Sequence, residues 1–88
     1  MSEKTILKLL EIYHWIEEYQ HDNGTSPTYR ELVDLGLAST SIVIYYMKKM
    51  EELRMIQKHI KHRPRSIVLL PLEDADESVQ ALLKLVNH

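Results

Sequence analysis

The stretch that decides the fold is "STSIVIYYMKKM", Ser39–Met50, because it can be read either as a strand or as a helix. Ile, Val and Tyr are good strand formers, so local propensity alone favours a buried β-strand. The preceding residues, "SPTYRELVDLGLAS" (26–39), are instead typical of a short helix, a turn and the start of a second helix. A strand would also place the two lysines on opposite faces. Sequence context therefore predicts a helix over residues 40–53, with Ser39 as its N-cap.

As a helix, this stretch has two chemically distinct faces. With an advance of 100° per residue, an apolar set collects on one side and a mixed set on the other. The apolar face consists of Val43, Tyr46, Met47, Met50 and Leu53, the opposite face of Ser41, Ile44, Tyr45, Lys48 and Glu52, and one flank of Ile42 and Lys49. The second face turns Ile44 and Tyr45 outward, where an exposed apolar patch often marks a contact site.

Two more helices are predicted before this one. Apolar residues at three- and four-residue intervals predict a first helix from Ser2 to about Asp22, which Ser2 caps and "DNG" (22–24) ends. Thr28 and Glu31 form a capping box that begins a short helix over residues 29–34. Gly36 then permits a sharp turn.

After the third helix the spacing of apolar residues changes from a helical to a strand-like pattern. "MIQKHI" (55–60) and "SIVLLP" (66–71) predict two short strands, joined by the basic tip "KHRPR" (61–65). An acidic stretch and an amphipathic helix follow, whose apolar stripe is Val79, Leu82, Leu83 and Val86. We therefore predict a mainly α fold with a small antiparallel β-hairpin: a winged helix-turn-helix over residues 1–71, and an acidic linker with a short C-terminal helix over residues 72–88.

The charge is segregated along the chain. Residues 1–39 carry a net charge of −4, residues 40–70 of +5 and residues 71–88 of −3, although the whole chain is only −2. A localised basic surface is the usual electrostatic footprint of phosphate contact, while a solvated face without a partner is the plainer alternative. The absence of cysteine excludes disulfides and thiolate metal sites. We expect a soluble, cytoplasmic protein, because no apolar run could cross a bilayer and no signal peptide is recognisable.

The sequence resembles a known family, the N-terminal DNA-binding domain of LexA-type repressors. The residues that carry the resemblance are "NGTSPTYRELVDLGLASTSIVIYYMKKMEELRMI" (23–56) and "SIVLLP" (66–71), within a similarity over roughly residues 5–71. That family shows a Pro-Thr lead into the second helix, a Leu-Gly turn and a Ser that opens the third helix. Its Ser-Lys peptidase domain has no room in this chain, so autocleavage is not expected.

The resemblance implies that the third helix enters the major groove and that the wing, residues 56–70, rests on the backbone nearby. The implied base-reading residues are Ser39, Ser41, Ile42, Ile44 and Tyr45. The family typically has an Asn, a small residue and two acids at the last four of these positions, so a different base preference is expected. A Gly that the family commonly has at the entry to the wing is replaced by Arg54.

The chemistry of these side chains suits such contacts. Ile42 and Ile44 can pack on a thymine methyl, and Tyr45 can reach a phosphate with its hydroxyl. The predicted phosphate contacts are Thr28, Tyr29 and Arg30 at the second helix, Lys48 and Lys49 on the third, and Lys58, Lys61, Arg63 and Arg65 on the wing.

The predicted function is a sequence-specific regulator of transcription that binds double-stranded DNA, by default a repressor that occludes a promoter. The alternative is a winged-helix module that binds another protein through Ile44 and Tyr45.

The C-terminal stripe is either a lid on the domain's own core or a homodimer contact. The dimer is slightly favoured, because one small DNA-binding domain makes few base contacts and a second copy would double them. We predict no enzyme activity, cofactor or metal site, since no nucleophile motif is present and "HIKH" (59–62) has no third ligand nearby.

Overall fold

The computed structural model describes residues 2–57 and 65–86. Within these ranges the chain forms four α-helices and one short 3-10 turn. The helices are α1 (Glu3–Asn23), α2 (Tyr29–Asp34), α3 (Thr40–Glu52) and α4 (Glu77–Val86), and the 3-10 turn is Leu72–Asp74. The prediction of three helices followed by a C-terminal helix is thus confirmed, and the bounds of the first three helices lie within about one residue of those expected.

The first helix begins and ends at the signals read from the sequence. The Ser2 hydroxyl accepts a hydrogen bond from the Thr5 amide at 3.2 Å. Gly24 lies in the left-handed region, with φ 73°, and its amide donates to the Gln20 carbonyl at 2.8 Å. Because a side chain strains the backbone in this region, glycine at this position ends α1 without cost.

We expect Gly24→Ala to lower the free energy of unfolding by about 1 kcal/mol, measured by urea denaturation. A Cβ at this position would meet no atom within 4 Å, so backbone strain alone accounts for the loss. Gly24→Asn is the control, because Asn tolerates the left-handed region better than Ala and should lose less. Equal stability of wild type and Gly24→Ala would contradict the assigned cap.

The second and third helices form a helix-turn-helix arrangement. Thr28 and Glu31 make both hydrogen bonds of the predicted capping box at the start of α2. The chain turns at Gly36, with φ 135°, and the Ser39 hydroxyl then accepts from the Ile42 amide at 3.3 Å. The stretch from Ser39 to Met50 is therefore a helix from Thr40 onward, and its strand propensity is overridden by the cap and by packing.

One apolar core joins the helices. Val43, Met47 and Met50 of α3 are at most 2% exposed, and they lie in the same core as Leu9 and Ile12 of α1. The predicted division of α3 into two faces is confirmed, since these buried residues all belong to the face expected to be apolar. The aromatic residues Tyr13, Trp15 and Tyr46 are buried or packed against the core.

The predicted β-hairpin is wrong for the described residues, which contain no strand. The two segments meet only at an isolated antiparallel bridge between Ile56 and Leu69. The ladder stops on the helix side because Arg54 turns the chain at φ 57° and the Met55 amide donates to the Met50 carbonyl at 2.8 Å, not to the Leu70 carbonyl. In the returning segment, the Leu70 carbonyl accepts from the Tyr13 hydroxyl at 2.8 Å instead of from a neighbouring strand. The predicted tip, residues 61–65, lies outside the described part except for Arg65.

Arg54 lies where the resembling family commonly has glycine. Its amide donates to the Glu51 carbonyl at 3.0 Å, and the Met55 amide donates to the Met50 carbonyl at 2.8 Å. These are the two hydrogen bonds of a Schellman motif, whose central residue must be left-handed and is usually glycine. Arg54 adopts that conformation at a cost of about 1 kcal/mol, and its Nε donates to the Asp74 carbonyl at 3.3 Å.

The C-terminal helix packs on the chain's own core. The Asp76 carboxylate accepts hydrogen bonds from the amide and hydroxyl of Ser78, at 3.1 and 2.7 Å, directly before the first turn of α4. Val79 is fully buried, Leu82 is 6% exposed and Leu83 packs partly against the core. The side chain of Val86 lies outside the described part. Neither α4 nor any other helix in residues 2–57 and 65–86 is long and apolar enough to cross a membrane.

Candidate nucleic-acid interface

The outward face of α3 presents an apolar and polar surface to solvent. Ile42, Ile44 and Tyr45 are 38%, 44% and 50% exposed. Ser41 and Lys48 are exposed on the same helix. The fold thus brings four of the predicted base-reading residues to the surface, next to a cation. Ile44 and Tyr45 expose apolar area that no residue of the described chain covers.

Ser39, the fifth predicted base-reading residue, is partly buried at the start of α3. Its hydroxyl oxygen already accepts a hydrogen bond from the Ile42 amide. A serine hydroxyl has a second lone pair and one hydrogen to donate, so the cap leaves a donor for another group. Ser39 therefore has a structural role whatever else it binds.

One cation of α3, Lys49, lies beside Tyr45. Lys49 forms an ion pair with Glu52 at 3.7 Å, and its Nζ lies 5.6 Å from the centre of the Tyr45 ring. The Tyr45 ring also meets the Tyr46 ring edge-on, with 5.5 Å between the ring centres. These contacts limit the rotamers of Tyr45, and a surface side chain held in this way loses less entropy on binding.

The start of α2 holds three of the predicted phosphate contacts. Arg30 is exposed, whereas Thr28 and Tyr29 are half-buried. The Thr28 amide and hydroxyl both donate to Glu31, at 3.0 and 2.9 Å. The pKa of Tyr29 is raised by burial and, to a smaller extent, by the negative charge of Glu51.

The Arg65 guanidinium is bound by other groups of the chain, although its side chain is 40% exposed. Its Nη2 forms an ion pair with Glu31 at 3.0 Å. Its Nη1 donates to the Tyr19 hydroxyl at 3.0 Å and to the Ser26 carbonyl at 3.2 Å. The Tyr19 hydroxyl in turn donates to Glu31. We call Arg65, Tyr19, Glu31 and the Ser26 carbonyl the Arg65 cluster.

Sequence reasoning missed this cluster. It identified Glu31 only as part of a capping box and Arg65 only as a surface cation. Tyr19 and Arg65 are 46 residues apart, and no local pattern reports a contact at that separation. The available signal was Glu31 itself, because a carboxylate in a capping box keeps a free oxygen for a cation.

Glu31 is strongly acidic in the folded chain. Hydrogen bonds from the Tyr19 hydroxyl and from the Thr28 amide, together with the Arg65 charge, lower its pKa from 4.5 to about 2. A carboxyl group whose pKa is lower in the folded than in the unfolded chain stabilises the fold. This stabilisation is complete at pH values above the unfolded-state pKa, and it is lost as the pH falls through the folded-state pKa. The window for Glu31 therefore lies between pH 4.5 and about 2.

We expect the stability difference between wild type and Glu31→Gln to shrink as the pH falls through this window. Urea denaturation at several values between pH 6 and the acid limit of the folded state measures it. Glu18→Gln, which removes an exposed acid of α1, is the control measured under the same conditions. A difference that is independent of pH would contradict the ionised, hydrogen-bonded Glu31.

The remaining predicted site residues lie outside the described part of the chain. These are Lys58, Lys61 and Arg63, together with the two histidines of "HIKH" (59–62). Among the residues that the structure describes, no group of three or more His, Cys, Asp or Glu side chains is arranged to hold a metal ion.

By structure this chain belongs to the helix-turn-helix class of proteins, since α2 and α3 form that arrangement and α3 exposes an apolar and basic face. In sequence, the chain is similar to a LexA repressor from Syntrophobacter fumaroxidans, with 32% identity over 72 residues. This confirms the resemblance to LexA-type repressors that the sequence predicted. The match covers 81% of this chain and 35% of the relative, so the chain spans about a third of that protein's length. No family model and no solved structure matches the chain.

Proposed function

We propose that this protein is a sequence-specific transcriptional regulator that binds double-stranded DNA, acting as a repressor that occludes a promoter. The observation that carries the proposal is the outward face of α3, which combines exposed Ile44 and Tyr45 with a lysine on the second helix of a helix-turn-helix. Such a helix fits the major groove, where the thymine methyl is the apolar feature that aliphatic side chains can contact. The similarity to a protein named as a repressor supports the same function.

In this proposal the side chains divide into two groups. Ser39, Ser41, Ile42, Ile44 and Tyr45 read base edges, and Tyr29, Arg30, Lys48 and Lys49 contact phosphates. Thr28, predicted as a further phosphate contact, donates both its amide and its hydroxyl hydrogen to Glu31 and caps the turn that carries Tyr29 and Arg30. Lys58, Lys61 and Arg63 are proposed as further phosphate contacts on the basis of sequence alone. The base contacts determine which duplex is preferred, whereas the phosphate contacts determine affinity and its dependence on salt.

Dimerisation through α4 is a second part of the proposal, because a single reading head makes few base contacts. Val79 and Leu82, two residues of the predicted dimer stripe, are buried in the chain's own core. Leu85 of the same helix is 67% exposed and offers apolar surface to a second copy. A binding site with two-fold symmetry would support the dimer.

The rival function is a module that binds another protein through Ile44 and Tyr45, whose exposed apolar area fits either role. Salt distinguishes the two. Binding to DNA weakens steeply as salt rises because counterions are released, while an apolar contact weakens little or becomes stronger.

The deciding experiment is selection of bound duplexes from a randomised DNA pool, at low and at near-physiological salt. An enriched motif whose affinity falls steeply with salt supports the proposal, and Tyr45→Ala should then change the motif. Lys48→Ala should weaken all sequences alike and reduce the salt slope by about 0.9. No enrichment at either salt by the folded protein would refute specific DNA binding and leave the protein-binding module.

A further inference from the structure

Arg65 has a conformation and a set of contacts that a free surface cation does not need. Its backbone is left-handed, with φ 58°, which is uncommon for a residue with a side chain. The guanidinium meets Glu31, Tyr19 and the Ser26 carbonyl, which come from α2, from α1 and from the connection between them. One side chain thus joins three separate parts of the chain.

The cluster is also half-removed from solvent and internally complementary. The side chains of Arg65 and Glu31 are 40% and 30% exposed. The Glu31 carboxylate accepts hydrogen bonds from Arg65, Tyr19 and Thr28. Its negative charge is therefore stabilised by three donors of the protein and not by water alone. Because the planar guanidinium donates in fixed directions, this geometry is specific to Arg and is not reproduced by a lysine ammonium.

We propose that Arg65 is a positioning residue, which holds the first turn of α2 in the orientation required for DNA binding and makes no phosphate contact of its own. Glu31 follows directly after Tyr29 and Arg30, the predicted phosphate contacts of that turn. Its carboxylate connects the α2 cap to Arg65 on one side and to Tyr19 of α1 on the other. The inference rests on the proposed function and adds to it a residue that acts through others.

The two possible roles of Arg65 predict opposite effects of Glu31→Gln on the affinity for DNA. If Arg65 contacts phosphate, Glu31 competes with DNA for the guanidinium, and Glu31→Gln should strengthen binding. If Arg65 positions α2 through Glu31, Glu31→Gln should weaken binding, although it removes a negative charge. Arg65→Lys separates the roles again, because lysine is a good phosphate ligand but cannot make the forked contacts.

The experiment measures the affinity of the full chain for the duplex enriched in the selection, or for a duplex of mixed sequence if none is enriched, over a range of salt. We expect Arg65→Lys, Arg65→Gln and Glu31→Gln each to weaken binding on the order of tenfold, with the double variant Arg65→Gln/Glu31→Gln no weaker than the single ones. The salt slope should be unchanged in all of them, in contrast to the loss of about 0.9 for a phosphate ligand such as Lys48. Glu18→Gln is the matched acidic control and should not weaken binding.

Near-normal binding by Arg65→Lys together with tighter binding by Glu31→Gln would overturn the inference and leave the proposed function intact. If the wild type binds neither duplex, the proposed function and the inference fail together. Urea denaturation of each variant ensures that affinities are compared only under conditions in which the protein is folded. Tyr19→Phe, which keeps the ring and removes only the hydroxyl, is a milder variant that should weaken binding in the same direction.

Discussion

Ile44→Glu is expected to weaken DNA binding by about 100-fold or more while the domain remains folded. Ile44 is 44% exposed on the outward face of α3, which the proposed function places in the major groove. A carboxylate there would lie near two rows of phosphates, and a like-charge contact of this kind costs several kcal/mol. The helix itself should not suffer, since glutamate is a slightly better helix former than isoleucine. Titration of the selected duplex at fixed salt measures the loss.

Leu7→Glu is the matched control for this change. Leu7 is 46% exposed on α1, so the substitution alters the charge and the exposed apolar area to nearly the same extent. Binding by Leu7→Glu should fall far less, with the difference between the variants due to the α3 face. Wild-type affinity in Ile44→Glu would contradict the assignment of α3 as the reading helix. The same loss in both variants would show that net charge, and not the α3 face, controls binding.

Leu9→Ala should lower the free energy of unfolding by about 2–5 kcal/mol. Leu9 is fully buried in the core that joins α1 to α3 and α4, and truncation leaves a cavity there. Such a loss is a large part of the total stability of a small domain, which is about 5–15 kcal/mol. At this chain length a loss of 3 kcal/mol corresponds to a fall in Tm of about 10–25 °C. Thermal and urea unfolding measure both quantities.

Leu7→Ala provides the comparison, because it makes the same substitution two positions away on the exposed side of α1. Surface changes of this kind stay within about 0.5 kcal/mol of wild type. A Leu9→Ala protein as stable as Leu7→Ala would contradict the core described above. Because Leu9 lies away from the α3 surface, the folded fraction of Leu9→Ala should bind DNA with unchanged salt dependence.

Most of the helical structure could be predicted because its signals are local. Each helix start depends on a cap within three residues, as with Ser2, Thr28 and Ser39, and each face depends on side chains three and four positions apart. The ambiguous stretch from Ser39 to Met50 was resolved by such neighbours, since a cap at Ser39 is compatible with a helix and not with a strand. The exposure of Ile44 and Tyr45 followed from the same periodicity.

The hairpin could not be predicted correctly because strand pairing depends on groups far away in the sequence. The residues of "SIVLLP" have the composition of a strand, yet the Leu70 carbonyl accepts from Tyr13, which is 57 residues away. The Ile67 carbonyl likewise accepts from the Gln20 side chain of α1 at 3.3 Å. The composition of a segment indicates which backbone conformation it favours. It does not indicate which hydrogen-bond donors the fold places next to its carbonyl groups.

The sequence by itself determined the four helices, the N-caps of the first three and the residues that α3 turns outward, because these depend on interactions within one or two helical turns. Only the tertiary structure decided that Val79 and Leu82 of α4 are buried in the chain's own core, and that Arg65 is bound to Tyr19 and Glu31. An apolar stripe or a surface arginine has the same sequence pattern whichever group it meets. Which group it meets is decided when packing brings together residues that are tens of positions apart in the sequence. The free energy of each such contact depends on the positions of the other packed residues, which no local pattern reports.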